Sequence, residues 1–467
     1  MNGLTNQNRQ QATVLTAAEV ISRLVAFIVI VRLINFLGDT AYGELSYAFA
    51  LANIIVIVAD FGLSTYAIKQ FAHYTTADTE QRKHFAQVLL LKLVLVITAL
   101  GLIVLAGLLT TNLSGLTIVG GGCAIVFTNT RMFIEALFRA QQRMAREGIT
   151  KMAHAIILAL VLLYGITQQF TLEQFALAYG IVALLAALGT ISWLWQLPLK
   201  PQWHDWRSSY WHSLIIAAWP FAASFGINAL FNYLDSVMLG WFGQFKAAGW
   251  YNTAYKPIFF LTALAGMVIN AYLPTIAKIK HSGQPSQLSA KVQELFNTTM
   301  MLAWPMMIGG TLVADKIFAV LFKPEFAPGI LAFQILLWST GCIYAWAVFG
   351  NSLQVCGKEK VYLKNFGLAV LVTIVGNILL IPFFSLYGAA VTTLLTQITL
   401  VILMYRDWKT ITPISLSHGL LPPVISSGIM GAAVWLVHTA ALWLILPLAA
   451  IVYTLCLLLL KKLIKPI

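Results

Sequence analysis

Charge is what this sequence has least of. Of its 467 residues only 10% are Asp, Glu, Lys or Arg, whereas 60% are hydrophobic and the mean hydropathy is +0.83. A soluble domain carries about 25% charged residues. The shortfall leaves too little polar surface to cover a water-soluble fold of this length, so lipid must be the solvent. The ten-residue hydrophobic alternation of outer-membrane strands is also missing. Since every backbone N–H and C=O inside lipid needs an internal partner, helices are the elements that remain. Cysteine numbers four, at Cys123, Cys342, Cys356 and Cys456. They have no metal-ligand spacing, which excludes a zinc or iron–sulfur centre built on thiolates and leaves them as packing residues. No phosphate loop, nucleophile motif or metal-binding pattern is present, and no cofactor is implied.

What is present is a succession of apolar stretches, each long enough to cross a hydrocarbon core of roughly 30 Å as a helix. Fourteen such spans are expected, near 11–36, 44–68, 86–109, 116–138, 152–167, 174–197, 213–240, 250–275, 293–314, 329–355, 362–382, 387–405, 420–438 and 442–460. The polar start carries only Arg9 before the first span and shows no cleavage site, so that span is expected to stay in the membrane. Lys and Arg then test the topology, because they collect in cytoplasmic loops. With both termini inside, 21 of the 29 basic residues fall on the cytoplasmic side, and only Lys246, Lys316 and Lys323 fall outside. The net charge of +13 is therefore a topology signal and calls for no nucleic-acid partner.

The chain also repeats itself. Leu37-Gly38 followed by Tyr42-Gly43 resembles Phe242-Gly243 followed by Ala248-Gly249, each joining the first and second spans of a six-span block. Arg143-Met144-Ala145-Arg146 after span four is echoed by Lys358-Glu359-Lys360 after span ten. Glycine turns are common enough between helices to arise by chance, but parallel halves suit a transporter in which two lobes alternate. The expected fold is all-α: an N-terminal lobe over 1–199, an interfacial linker over 200–212, a second six-helix lobe over 213–410, and two further helices over 411–467. Trp203, Trp206, Tyr210 and Trp211 mix with Lys200, His204, Arg207 and His212 in that linker, a composition that favours the inner leaflet.

Several of these segments resemble a known family. Arg32-Leu33 through Tyr42-Gly43, then Ala59-Asp60-Phe61-Gly62-Leu63, looks like the opening of the polysaccharide transporters, the Wzx-type oligosaccharide flippases. Tyr233-Leu234-Asp235-Ser236-Val237-Met238-Leu239-Gly240 with Gly249-Trp250-Tyr251-Asn252-Thr253-Ala254-Tyr255-Lys256 resembles the start of their second lobe. Leu321-Phe322 with Phe326-Ala327-Pro328, and Ile381-Pro382 with Tyr387-Gly388-Ala389-Ala390, match later turns. The resemblance implies two six-helix lobes plus two helices, akin to multidrug extruders and lipid II flippases. It also implies a cargo of polyprenyl-pyrophosphate-linked oligosaccharide, carried across the cytoplasmic membrane beside glycosyltransferases and a glycan polymerase. A multidrug exporter of the same superfamily is the alternative. A membrane enzyme is not expected, because no outer loop is long enough to hold a polar catalytic site.

Ionisable residues inside spans are costly and face a cavity or a partner. They are Glu19, Arg23, Arg32, Asp60, Lys92, Arg131, Glu135, Asp235 and Lys256. Glu19 with Arg23, and Arg131 with Glu135, stand four apart and can pair along one helix face. Either that pairing explains them, or Arg23, Arg32 and Arg131 line a cavity and hold the carrier pyrophosphate, which guanidinium forks bind bidentately. Arg23, deepest in its span, is the first candidate, whereas Arg32 lies closer to the outer face and could reach headgroups. Lys92 is expected to snorkel to the cytoplasmic face. Asp235 and Lys256 are expected to form a salt bridge that could gate the outer side. One of Glu19, Asp60, Glu135 or Asp235 is the expected site for a coupling H⁺ or Na⁺, and Asn232, Tyr233 and Tyr255, with Asn228, are the candidates for sugar contact. Gly120, Gly121 and Gly122 are expected to permit close helix packing.

Overall fold

The computed structural model describes the backbone of residues 2–72, 79–111, 113–141, 143–196 and 208–463, and the side chains of 24–72, 79–111, 113–141, 143, 145–194, 211–416, 419–460 and 462. Among these residues there are fourteen α-helices and no strand. α1 (Asn2–Asp60) is two spans joined at Gly38, whose φ of 79° interrupts the helix. α2 (Leu63–Phe71) continues the second of them. α3 (Thr79–Leu109), α4 (Gly115–Ala140), α5 (Met144–Thr167), α6 (Leu172–Ser192) and α7 (Ser208–Trp241) follow, then α8 (Phe245–His281), α9 (Pro285–Leu312), α10 (Ala314–Leu321) and α11 (Gly329–Val355). α12 (Glu359–Lys409) is again two spans, broken at Ser385 (φ 54°, ψ −132°) three residues after Pro382. α13 (Leu416–Leu436) and α14 (Leu442–Leu463) end the chain. With α1 and α12 counted twice and α9 joined to α10, each of the fourteen expected spans has a helix.

The repeat is visible in backbone geometry. Gly38 and Gly243, at φ 79° and 72°, occupy the corresponding first turns of the two halves. Gln169 and Ser385, both at φ 54°, occupy the turns between the fifth and sixth spans. Positive φ is uncommon outside glycine, so this second correspondence strengthens the first. The connection before α6 is further fixed by a capping box, in which Thr171 and Gln174 each accept from the other's backbone N–H.

Three local expectations change. The fifth span starts earlier than 152, because α5 begins at Met144 and takes Arg146, Glu147 and Lys151 out of the expected loop into helix. The ninth span is not straight: α9 and α10 meet at 73°. The second span stops at Asp60 and restarts at Leu63, with Phe61 (φ 43°) and Gly62 (φ 72°) between. Compact packing divides the chain into two units, Met1–Lys246 and Ala247–Ile467. α7 belongs to the first unit because it packs on α1, α2 and α3. Trp211, expected at the membrane interface, sits in the first turns of α7 and donates to Gln87 Oε1 at 3.1 Å, while 201–207 lie outside the described residues.

The first unit is built around α4, which packs on α1, α3 and α6. Its glycines serve three neighbours: a Cβ on Gly120 would meet the α6 backbone at Ala176 at 2.6 Å, one on Gly121 would touch Phe49, and one on Gly122 would strike Ile103. Small residues allow this approach where lipid offers no hydrophobic drive between helices. In the second unit α11 packs on α9 and α12, and α13 packs on α9 and α14. Large apolar side chains such as Leu108, Phe383 and Trp443 stay exposed, as expected of surfaces covered by hydrocarbon.

Gly62 and Gly243 share a φ of 72° but not their surroundings: a Cβ on Gly62 would lie 2.4 Å from Ala222 N of α7, and one on Gly243 meets nothing within 4 Å. Gly243→Ala is expected to cost only the backbone penalty, about 1–2 kcal/mol. Gly62→Ala is expected to cost clearly more, read as a larger fall in unfolding temperature of the detergent-purified protein. Equal losses would show that α7 does not depend on this approach.

Candidate functional site

Every charged side chain that is buried among the described residues belongs to the first unit: Asp39, Asp60, Lys92, Arg131, Glu135, Glu147 and Asp235. Asp39, at the Gly38 turn, is reached by the exposed Lys246 at 3.4 Å. The others of this set for which contacts are resolved fall into two groups.

The first group closes the break between α1 and α2. Where α1 ends, its last carbonyls have no partner within the helix. Lys92, from α3, supplies one: its Nζ donates to Ala59 O at 2.8 Å and to Asn129 Oδ1 of α4 at 2.7 Å, and stands 3.4 Å from Asp60 Oδ1. The Phe133 ring lies 5.3 Å away on another side. Asp60 Oδ1 also accepts from Ser64 Oγ at 2.5 Å, in the first turn of α2. Lys92 and Asp60 are each only 3% exposed. Lys92 therefore does not snorkel. An ammonium held by a carbonyl, an amide oxygen and a carboxylate has already replaced its hydration shell, so nothing draws it toward the membrane face.

The second group joins α4 to α5. Arg131 and Glu135 do pair along α4 through a short contact of Nη1 with Oε1, and Glu135 also accepts from Thr150 Oγ1 of α5 at 2.7 Å. One turn further, Arg139 grips Glu147 with two bonds, Nε to Oε2 at 3.1 Å and Nη2 to Oε1 at 2.6 Å, and Lys151 reaches the same carboxylate at 3.0 Å. Only Arg131 Nε remains buried without a partner in this group. Sequence reasoning missed Asn129, Thr150 and Glu147. Asn129 is two residues before Arg131 on α4, and Glu147 was placed in a loop, although its spacing of four from Lys151 signals a helical pair.

Arg32 differs from these. It is exposed on α1, on the stripe that carries Leu24 and Ile28 eight and four residues earlier, and makes no ion pair among the described residues. The side chains of Glu19 and Arg23 lie outside the described residues. Asp235 is buried on α7 of the first unit and Lys256 is half-buried on α8 of the second. Asn232 is exposed and donates back to Asn228 O at 2.7 Å, one helical turn away. Tyr233 is half-buried on α7, and Tyr255 rests against Tyr251 with ring centroids 5.3 Å apart.

Among its described residues the second unit buries no charged side chain and pairs several of its buried polar groups with one another. Tyr251 OH and Thr393 Oγ1 are 2.9 Å apart, Trp346 Nε1 donates to Gln397 Oε1 at 2.7 Å, and Thr373 and Thr396 hydroxyls meet at 3.0 Å. It also holds an apolar cavity of about 320 Å³ lined by Met300, Trp304, Met307, Trp338, Cys342 and Ile398, among others. Such a lining suits hydrocarbon and offers little to a sugar.

The comparisons with known proteins agree with this architecture. The family model described as polysaccharide biosynthesis protein matches residues 9–280. A probable low-salt glycan biosynthesis flippase, Agl15 of Haloferax volcanii, is 22% identical over 366 residues, covering 77% of this chain and 75% of that one. The probable flippase AglR of the same organism is 23% identical over 170 residues, 36% of each chain. Among solved structures, the lipid II flippase MurJ in an inward closed conformation has a TM-score of 0.82 at 12% identity, covering 96% of this chain and 98% of that one. An inward-facing multidrug resistance MATE transporter has a TM-score of 0.62 at 14% identity, covering 82% and 98%. At these identities the two structures establish a shared fold. With the family model spanning more than half of its length, the chain belongs to the polysaccharide biosynthesis protein family of polytopic membrane proteins.

Proposed function

We propose that this protein is a flippase that carries polyprenyl-pyrophosphate-linked oligosaccharide from the inner to the outer leaflet of the cytoplasmic membrane by alternating access. It acts as a transporter with no catalytic step, beside the glycosyltransferases that build the cargo and the polymerase that consumes it. The relatives named as glycan flippases support this reading, and so does the family. The observation that carries it is Arg32. Arg131 and Lys92 spend their charge on Glu135 and Asp60, whereas the Arg32 guanidinium is exposed within an apolar span and has no ion pair among the described residues. A permanent cation at such a place attracts an anion with bidentate oxygens, and a pyrophosphate supplies them. Arg23, on the same helix, is proposed as its companion. Coupling to H⁺ or Na⁺ belongs in this scheme to carboxylates other than Asp60 and Glu135, whose charges are already matched.

The drug-exporter alternative draws support from the MATE likeness alone. In cells that depend on this gene, Arg32→Ala is expected to lower surface glycan at least about tenfold, or ~1.4 kcal/mol in the transport barrier, with lipid-linked glycan accumulating on the inner leaflet. Arg32→Lys keeps the charge but not the fork and is expected to fall between. Because the side chain is exposed, unfolding temperature should not move. Wild-type glycan at equal protein abundance would remove Arg32 from the site, and raised drug tolerance on expression without any glycan defect would favour the exporter.

Arg131 is expected to behave oppositely. Glu135→Ala leaves a buried guanidinium uncompensated and should cost about 3–5 kcal/mol, seen as poor abundance and early unfolding. Arg131→Met combined with Glu135→Leu should recover most of that loss. Losses that simply add in the double variant would show that the two side chains are not coupled.

A further inference from the structure

The group around Lys92 has the form of a cation seat. Three oxygens of different chemistry converge on one point: the Ala59 carbonyl at the negative end of α1, the Asp60 carboxylate and the Asn129 amide oxygen. The Phe133 ring face closes another side, and Ser64 steadies the carboxylate. Oxygen donors of this kind, gathered from a helix end, a carboxylate and an amide, are the ligand set of a small hard cation, and the aromatic face also favours positive charge. No element of the seat requires that the cation be an ammonium. The side chain that fills it comes from a different helix from every one of its ligands: α3 supplies the charge, while α1 and α4 supply the oxygens.

We propose that the break between α1 and α2 is a monovalent-cation site occupied permanently by the tethered ammonium of Lys92, so that shortening this side chain turns the seat into a sodium site. The native first unit then holds its broken span together without borrowing an ion from solution, and a coupling ion, where transport uses one, binds elsewhere. This goes beyond the flippase reading and does not depend on it, since it is read from folding and not from transport.

The test compares unfolding temperatures of purified wild-type, Lys92→Ala and Lys92→Met proteins in sodium chloride and in choline chloride at equal ionic strength. Wild type should unfold at the same temperature in both salts. Lys92→Ala should unfold several degrees earlier in choline and recover with rising sodium along a saturating curve, the signature of a ligand that binds only the folded state. Lys92→Met fills the space with an uncharged chain and should be destabilised without sodium rescue. A Lys92→Ala protein indifferent to sodium, or a wild type that responds as strongly, would overturn the proposal. Should Lys92→Ala prove impossible to isolate even in sodium, while Lys92→Ala with Asp60→Asn is isolated, the carboxylate needs neutralising and does not accept the metal ion; failure of both variants means that only the lysine fits. Either result equally overturns the proposal. Because flipping activity is not the readout, loss of the flippase reading would leave this result standing.

Discussion

A charge placed among lipid-solvated helices must bring its own solvation. That constraint organises the first unit. Lys92, Arg131, Asp60, Glu135 and Glu147 lie where water does not reach, and each is surrounded by groups that replace water: a carbonyl and an amide for Lys92, a hydroxyl and a guanidinium for Glu135, a two-pronged arginine and a lysine for Glu147. Such pairs add little stability over an apolar core of the same shape, but removing one member is costly. They therefore specify geometry more than they strengthen it. The Lys92 group fixes where α1 stops, and the Glu135 and Glu147 groups fix how α5 lies on α4.

Much of the fold was legible from composition and spacing. Apolar runs set the spans, basic residues set the expected topology, and Gly38 and Gly243 marked the equivalent turns. The local errors share one cause. Hydropathy sees the hydrocarbon core but not the ends of helices, so α5 was started too late and the restart at Leu63 was hidden inside one long apolar run. The Arg131–Glu135 pair was readable because it is local, four residues along one helix. The Asp60–Lys92–Asn129 group was not, because its members come from three helices and their meeting depends on tertiary packing that no short-range period encodes. Snorkelling was a fair expectation for a lysine near a span end, and it failed because Ala59 and Asn129 supply partners that the sequence does not display.

The two halves repeat their turns but not their interiors. Gly38 matches Gly243 and Gln169 matches Ser385, yet the first half closes its core with ions while the second uses hydroxyls, amides and an indole. The bends differ as well: the second span of the first half breaks at Asp60–Gly62, whereas in the second half it is the third span that turns, at 73° between α9 and α10. Turn geometry depends on a few backbone angles, and the helices it joins can diverge freely. Interior chemistry must agree across several helices at once, so a change at one position demands changes at others.

This division separates two kinds of cation within the spans. A charge whose donors are saturated by its own protein has nothing left to offer a ligand; Lys92, with three oxygens and a ring around it, is of this kind, and Arg131 is committed to Glu135 on its own helix. Binding cargo there would first require breaking what holds the helices. Arg32, on an exposed helix face, has no ion pair to break among the described residues. A transported anion has to be gripped and then released, which asks for a site whose empty form is itself stable. An Arg131 released from Glu135 would stand buried and uncompensated, so it does not meet that requirement.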